Sequence, residues 1–152
     1  MEYSRCLSRL QKLCSKAEYC KADIYRKALK DLEGDQRQAA RIVESLTGDK
    51  YVSDARYASA FAREKASLQG WGPVKIRFTL RSKGISDADI TAALESVDPS
   101  AADSRLERLL SAKARALGSD PRRRLKLLKY ALSRGYEYDA VEAALARLTS
   151  GY

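Results

Sequence analysis

Residues 50–85 read KYVSDARYASAFAREKASLQGWGPVKIRFTLRSKGI and predict two helices joined by a short break. Ser53 is a good N-cap residue for the first of them. Gly72 and Pro73 are typical of an N-cap followed by a first helical residue, and Gly84 is typical of a helix end. We expect the rest of the chain to repeat this order of helix, break and helix.

The remaining sequence has the same helical character. Apolar residues recur at intervals of three and four, as in Leu7, Leu10 and Leu13, and no segment sustains a strict apolar–polar alternation. Gly48 is predicted to close the third helix, and Ser100 is predicted to cap the seventh. We therefore predict an all-α chain without a sheet. The predicted helices outside the first stretch are Tyr3–Lys16, Ala22–Leu32, Gln36–Leu46, Asp87–Ser96, Ala101–Leu117, Pro121–Arg134 and Glu137–Leu148.

An internal repeat indicates how these helices are grouped. Gly84 and Leu94 match Gly135 and Leu145 at a constant offset of 51 residues, and a fainter copy precedes them. Self-similarity at such a period is typical of tandem helical repeats, which stack into elongated and curved arrays. The three predicted three-helix repeats are residues 1–49, 50–97 and 98–152.

The charge of the chain narrows the classes of partner. The 152 residues include 29 Lys and Arg against 20 Asp and Glu, which leaves a net charge of +9. A basic chain of this kind favours polyanions, with nucleic acid first and an acidic protein surface second.

The sequence also bears on the compartment. The longest stretch without a charged residue is Ala66–Val74, whereas a membrane-spanning helix needs about 20 apolar residues. The N-terminus is too highly charged for a signal peptide. Cys6, Cys14 and Cys20 lack Cys-x-x-Cys spacing, so we expect reduced thiols that pack as small apolar side chains. These features predict a cytoplasmic protein without a membrane-spanning segment.

The sequence offers little support for catalysis. The chain has no histidine, which removes the base of Ser-His-Asp and Cys-His sites and the commonest metal ligand. The cysteines do not form a zinc motif, and the break at residues 70–72 lacks the spacing and the lysine of a phosphate-binding loop. We therefore expect no enzymatic activity, no cofactor and no metal site.

The stretch quoted first also resembles the central signature of the RecX family, which regulates the RecA recombinase. Residues 13–14 and 18–20 resemble family members from the Bacteroidetes. The resemblance implies a cytoplasmic bacterial protein of tandem three-helix repeats that acts in homologous recombination, DNA repair and the SOS response. It further implies binding along RecA–DNA filaments, usually with a limiting effect on the recombinase, and DNA binding in some members. The residues that carry the resemblance are 51–58, Phe61, 70–73, Ile76, Leu80 and 83–85.

One candidate contact surface lies on the eighth predicted helix. Arg122, Lys126 and Lys129 fall within about 60° of one another on a helical projection. Residues 122–134 carry six basic side chains and no acidic one, which favours contact with a polyanion. The alternative interpretation is an ordinary solvated face. The residues predicted to lie opposite, on the apolar face, are Leu125, Leu128 and Leu132.

A second candidate surface lies on the fifth predicted helix. Arg77 and Arg81 form a like-charge pair four residues apart, which costs about 0.2–0.5 kcal/mol in an isolated helix. No acidic residue stands between Lys65 and Ser86 to offset this repulsion. An external anion would offset it, and so would an acidic residue from another helix; both interpretations stay open.

The aromatic residues are predicted to belong to the core. Trp71 has the spacing of a hydrophobic staple, and Tyr57, Phe61 and Leu68 lie on one apolar stripe. Phe78 lies away from this pattern, and we expect it to be buried in the middle of its unit. Stacking on nucleic-acid bases is the alternative use of such side chains.

With the resemblance to the RecX family, the basic repeats predict a regulator that binds a RecA–DNA filament through its second and third repeats and limits the filament by occupying a surface. The alternative is a DNA-binding or DNA-coating protein that acts without RecA. We expect a monomer that prefers single-stranded to double-stranded DNA. The candidate contact residues are Arg56, Arg63, Lys75, Arg77, Arg81, Lys83, Arg122, Arg123, Arg124, Lys126, Lys129 and Arg134.

Overall fold

Helices are the only regular secondary structure in residues 1–150, whose backbone is described by a computed structural model of the chain. Side chains are described for residues 1–148. Gly151 and Tyr152, which end the predicted third repeat, lie outside the described residues. The prediction of an all-α fold is confirmed. The helices are α1 (Tyr3–Lys16), α2 (Lys21–Asp31), α3 (Gln36–Gly48), α4 (Asp54–Gln69), α5 (Pro73–Ser82), α6 (Asp87–Glu95), α7 (Pro99–Leu117), α8 (Arg123–Ser133) and α9 (Tyr138–Ser150).

The described chain divides into two compact units. The first comprises residues 1–60 and 80–92, and in it α1, α2 and α3 pack against one another. Its helices bury one apolar stripe each, as their periodicity predicts. The three-repeat boundaries stay a prediction, because α4, α5 and α6 each contribute residues to both units. The buried core of the first unit contains Cys6, Leu10, Ile24, Ala28, Leu32, Ala39, Ile42, Leu46 and Val52.

The second unit comprises residues 61–79 and the chain from Ala93 onward. In it α7, α8 and α9 pack against one another around a core of leucine, alanine and valine with one buried tyrosine. This unit holds most of the candidate contact residues. Its core contains Leu106, Leu110, Ala114, Leu127, Ala131, Tyr136, Val141, Ala144 and Leu145.

Local signals placed several helix ends correctly. The Ser53 hydroxyl accepts a hydrogen bond from the Arg56 N–H at 3.2 Å, so Ser53 caps α4. Gly84 and Gly135 have positive φ angles of +78° and +92°, a conformation that glycine adopts without steric cost. Both residues follow the helix that the sequence predicted them to end.

Several predicted helix ends were wrong, among them both ends of α2 and of α9 by one or two residues. The α7 helix begins at Pro99 and not at Ala101, because the Asp98 side chain accepts from the Ser100 N–H and caps the helix earlier. The α8 helix begins at Arg123, because a turn closed by the Arg123 N–H and the Asp120 carbonyl precedes it. Gly48 lies within α3, and the positive φ angle that follows this helix falls on Lys50.

The apolar faces of two helices also differ from the prediction. In α8, Leu125 and Leu132 are 48% and 39% exposed, whereas Leu127 and Ala131 are buried. The helix carries leucines on two neighbouring stripes, and packing against α7 and α9 selects the second one. In α4, a line of alanines is buried and Leu68 is 79% exposed, so the predicted stripe does not include that leucine.

The cysteines behave as small apolar side chains, as predicted. All three are free thiols, with Cys6 and Cys20 buried and Cys14 partly buried. Burial raises the pKa of Cys6 to about 11. Within residues 1–150, no helix combines the length and the apolar character needed to cross a membrane.

The Asp98 cap predicts an acid sensitivity. Hydrogen bonds from the Ser100 hydroxyl and backbone hold the pKa of Asp98 below its ordinary value of 3.8. A depressed pKa in the folded state stabilises the fold above about pH 4, and the effect is lost as pH falls through the folded-state value. Asp98→Asn keeps the cap but does not titrate. We expect the gap in thermal unfolding midpoint between wild type and Asp98→Asn, followed by circular dichroism, to shrink from pH 6 to pH 3. A gap that stayed constant would contradict this.

Candidate functional site

The second unit is organised around a join between the loop that precedes α5 and the turn that precedes α9. The Gly72 N–H donates to the Arg134 carbonyl at 2.8 Å, and the Val74 N–H donates to the Gly135 carbonyl at 2.9 Å. The Ile76 N–H donates to the Gly72 carbonyl at 3.3 Å, which confirms Gly72 as the N-cap of α5 and Pro73 as its first residue. The loop and the turn thus satisfy backbone groups that helix ends leave unpaired.

Tyr136 reinforces this join from the core side. Its hydroxyl donates to the Gly70 carbonyl at 3.0 Å. Burial raises the pKa of Tyr136, and the charges of Arg105 and Arg134 counter part of that rise. The tyrosine therefore stays neutral and acts as a hydrogen-bond donor at neutral pH.

We expect Tyr136→Phe to lower the free energy of unfolding by about 1 kcal/mol, because the Gly70 carbonyl loses its side-chain donor. Chemical denaturation followed by circular dichroism would measure the change. The control is Tyr138→Phe, since Tyr138 is 56% exposed and its hydroxyl has no comparable buried partner. Equal effects of the two substitutions would show that the Tyr136 hydrogen bond contributes nothing.

Trp71 lies in this loop between two cationic side chains. The Lys65 and Lys75 ammonium groups lie 4.9 Å and 4.4 Å from the ring centroid, and Phe61 meets the indole edge-on at 6.0 Å between centroids. Trp71 and Ile76 line one cavity of about 250 Å³, and the staple between them stays a prediction. Lys75, a candidate contact residue, is therefore partly engaged with an aromatic face.

The α5 helix presents a mixed surface. Arg77 is partly exposed and forms no ion pair with any described residue. Phe78 is 74% exposed and Val74 is 47% exposed, so the predicted burial of Phe78 is wrong. The buried residues of this helix are Ile76 and Leu80, and Phe78 points about 200° away from Ile76 on a helix of 100° per residue. An arginine thus stands beside exposed apolar side chains.

Candidate residues of the first unit have internal partners. Arg81 pairs with Asp87 at 3.0 Å, so the alternative of an acidic residue from another helix is realised. Arg56 pairs with Glu18 at 3.1 Å. Exposed pairs of this kind contribute about 0–1 kcal/mol and can be exchanged for another anion. The contact role of these arginines stays a prediction.

Lys83 is held more firmly than the arginines. Its ammonium group lies 3.7 Å from an Asp23 oxygen and 5.7 Å from the centre of the Tyr57 ring. Burial alone would lower the pKa of Lys83, but the Tyr57 hydroxyl and the Asp23 carboxylate outweigh it and raise the pKa. The lysine is therefore charged and largely satisfied within the fold.

The basic residues of α8 and its N-cap, Arg122, divide into paired and unpaired groups. Arg124 pairs with Glu142 at 2.6 Å, and Lys126 pairs with Asp120 at 2.5 Å. Arg122 and Lys129 are exposed and form no ion pair with a described residue. Arg123 donates to the Gly118 carbonyl at 3.4 Å. Arg122, Lys126 and Lys129 are all exposed, but Lys126 has an internal partner, and the contact role of these residues stays a prediction.

Arg63 and Arg134 are the remaining candidate contact residues. Arg63 is exposed on α4 and forms no ion pair among the described side chains. Arg134 lies in a groove together with Arg105 and Arg108 of α7, two residues that sequence reasoning missed. Their spacing of three on one helix was visible, but their approach to Arg134 depends on the join between loop and turn.

These features define a basic, all-helical protein of the helical-repeat class. A family model described as "RecX, second three-helix domain" matches residues 53–94. Together with a relative that is 34% identical and covered over 69% of its length, this match shows that the chain belongs to the RecX family, as the resemblance implied.

Individual relatives agree with this membership. The chain is 34% identical over 107 residues to the regulatory protein RecX of Chromohalobacter salexigens, covering 70% of this chain and 69% of that protein. It is 24% identical over 151 residues to that of Clostridium tetani, covering 96% and 68%. The match to the Oceanobacillus iheyensis protein spans 45% of that relative.

Two solved structures share the fold. A crystal structure of regulatory protein RecX superposes with a TM-score of 0.84 at 25% identity, covering 95% of this chain and 71% of the other. RecX from Lactobacillus salivarius also superposes with a TM-score of 0.84, at 19% identity, covering 97% and 96%. The second likeness concerns the fold alone.

Proposed function

We propose that this protein regulates a RecA recombinase by binding the RecA–DNA filament and limiting its growth or its activity. The observation that carries the proposal is membership of the RecX family, whose matching members are named regulatory proteins. The net charge of +9 supports a polyanionic partner such as a nucleoprotein filament. The protein would act as a monomer in the cytoplasm, where such filaments form.

The proposed contact surface includes the unpaired basic residues of the second unit. Arg77, Arg122 and Lys129 can bind an external anion without breaking an internal ion pair. The exposed Phe78 beside Arg77 supports a protein component in the contact, since buried aromatic anchors contribute strongly to interfaces. The mechanism is occupancy of the filament surface and includes no covalent step.

The test is binding to labelled single-stranded DNA with and without RecA and a non-hydrolysable nucleotide. We expect tight binding only when RecA coats the DNA, and slower RecA-dependent ATP hydrolysis. Arg77→Glu should weaken the RecA-dependent binding. Arg37→Glu, the same change at an exposed position of α3, should not. If saturating wild-type protein left RecA's ATP hydrolysis and strand exchange unchanged, the proposal would be withdrawn.

The alternative function is DNA coating without RecA, which the positive charge supports equally well. If about six phosphates are contacted, affinity for bare DNA should fall about a thousandfold between 50 and 200 mM salt. A shallow salt dependence on RecA filaments, together with weak binding to bare DNA, would favour protein contacts and the regulatory proposal.

A further inference from the structure

A groove in the second unit gathers three arginines, of which only Arg134 was a candidate contact residue from the sequence. It is about 340 Å³ in volume and lies between the C-terminal end of α4, one face of α7 and the turn before α9. Arg105 and Arg108 come from α7, and Arg134 comes from the turn. No carboxylate lines it; the other polar side chains are those of Ser67 and Gln69.

The arginines of this groove have unused hydrogen-bonding capacity. Arg134 donates from one terminal nitrogen to the Gln69 carbonyl, yet its buried Nε has no hydrogen-bond partner. The Nε atom of Arg105 is likewise buried without a partner. A guanidinium has five N–H donors and no acceptor, and leaving a buried charged donor unmatched is costly. The buried Nε atoms are closed to solvent, so an anion in the groove would bind the terminal N–H groups of these arginines and offset their charge.

The fold supplies no internal anion to these arginines. None of Arg105, Arg108 and Arg134 forms an ion pair with any described side chain. The charge of Arg105 contributes to the lowered pKa of Asp98, but the Asp98 side chain accepts its hydrogen bonds from Ser100. The contrast with Arg81, Arg124 and Lys126, which all have carboxylate partners, is direct.

The chemistry of the groove suits an oxyanion that accepts paired hydrogen bonds. All three cations are arginines, whose planar fork matches phosphate oxygens in a bidentate geometry that lysine cannot reproduce. Contacts between arginines and phosphates position a nucleic-acid backbone and carry no sequence information directly.

We propose that the groove of Arg105, Arg108 and Arg134 binds phosphates of a nucleic-acid backbone. The proposal deepens the proposed function and rests on it for the choice of nucleic acid over an acidic protein segment. It assigns a DNA contact to residues separate from Arg77 and the α8 face. Arg108, which is exposed, meets the incoming phosphate first, and the partly buried Arg105 and Arg134 hold it within the groove.

The experiment measures the affinity of the full chain for a labelled oligothymidylate without RecA, over a range of salt concentrations. We expect Arg108→Gln to weaken binding about tenfold at low salt and to reduce the slope of log affinity against log salt by about 1. Arg108→Lys keeps the charge but loses the fork, so we expect an intermediate affinity. Arg37→Gln removes the same charge from an exposed position of α3 and should leave the affinity and the salt slope unchanged.

Several results would overturn the groove assignment. Equal effects of Arg108→Gln and Arg37→Gln would mean that only total charge matters. If polyglutamate displaced the labelled oligothymidylate at the same charge concentration, the ligand would be an acidic protein segment. If the wild type did not bind oligothymidylate at low salt, the groove would not be a nucleic-acid site. If the wild type bound bare DNA as tightly as RecA-coated DNA while Arg108→Gln still weakened binding, the regulatory proposal would be refuted and the groove assignment would stand.

Discussion

Replacing Gly135 by alanine is expected to lower the free energy of unfolding by about 3 kcal/mol or more. A Cβ atom at this position would overlap the Lys75 Cβ and lie 2.8 Å from the Lys75 backbone nitrogen. The φ angle of +92° adds a conformational cost that only glycine avoids. Because backbone cannot move as a flexible side chain does, the join between the loop before α5 and the turn before α9 would have to open. Chemical denaturation followed by circular dichroism would measure the loss.

Two other glycines separate the causes of this effect. Gly84 has a similar φ angle of +78° but nothing within 4 Å of an added Cβ, so Gly84→Ala should cost only about 1–2 kcal/mol. At Gly72 an added Cβ would lie 2.5 Å from the Gly135 carbonyl carbon, so Gly72→Ala should resemble Gly135→Ala. Equal costs at Gly84 and Gly135 would show that the close approach is unimportant.

Reversing the unpaired charges of α8 is expected to weaken binding to RecA–DNA filaments about a hundredfold at low salt, or about 2.8 kcal/mol. The variant is Arg122→Glu with Lys129→Glu, and both positions are exposed and without ion pairs. A glutamate at position 122 stands at the positive end of α8 and is compatible with the helix. The fold should therefore survive while an acidic partner is repelled. Titration of labelled, preassembled filaments would measure the affinity.

The matched control is Lys12→Glu with Lys30→Glu, two exposed lysines of α1 and α2. It changes the net charge by the same amount but leaves the second unit intact. The gap between the two variants should narrow as salt is added, because screening weakens contacts between exposed charges. Equal losses in both variants would move the contact away from α8 and back to overall charge.

Sequence reasoning located the start of α5 and the end of α8 because both depend on local chemistry. Gly72 and Pro73 lie next to one another, and the positive φ angle of Gly135 needs only glycine's freedom from a Cβ. It misjudged Phe78 because periodicity indicates an apolar face without saying whether anything covers it. It also missed Arg105 and Arg108, since no local pattern distinguishes an arginine that lines a groove from one on an ordinary solvated face.

In the candidate site, too, the sequence predicted local features and missed those that depend on tertiary contacts. The sequence identified the basic character of residues 122–134, because charge is a property of composition. Which of those charges have partners depended on Asp120 and Glu142, outside the stretch. Arg81 and Asp87 are only six residues apart, but their pairing also depends on the fold, because the turn between α5 and α6 brings the two side chains together.

By itself the sequence determined that this chain is helical, roughly where its helices begin and end, and that it carries a net charge of +9, because propensity, capping and net charge are local or additive. Only the tertiary structure decided which stripe of α8 is buried and which arginines remain unpaired. It also decided that the turn at Gly135 meets the loop at Gly72. These outcomes depend on contacts such as that between Tyr136 and Gly70, 66 residues apart, and such pairings arise only when the core packs.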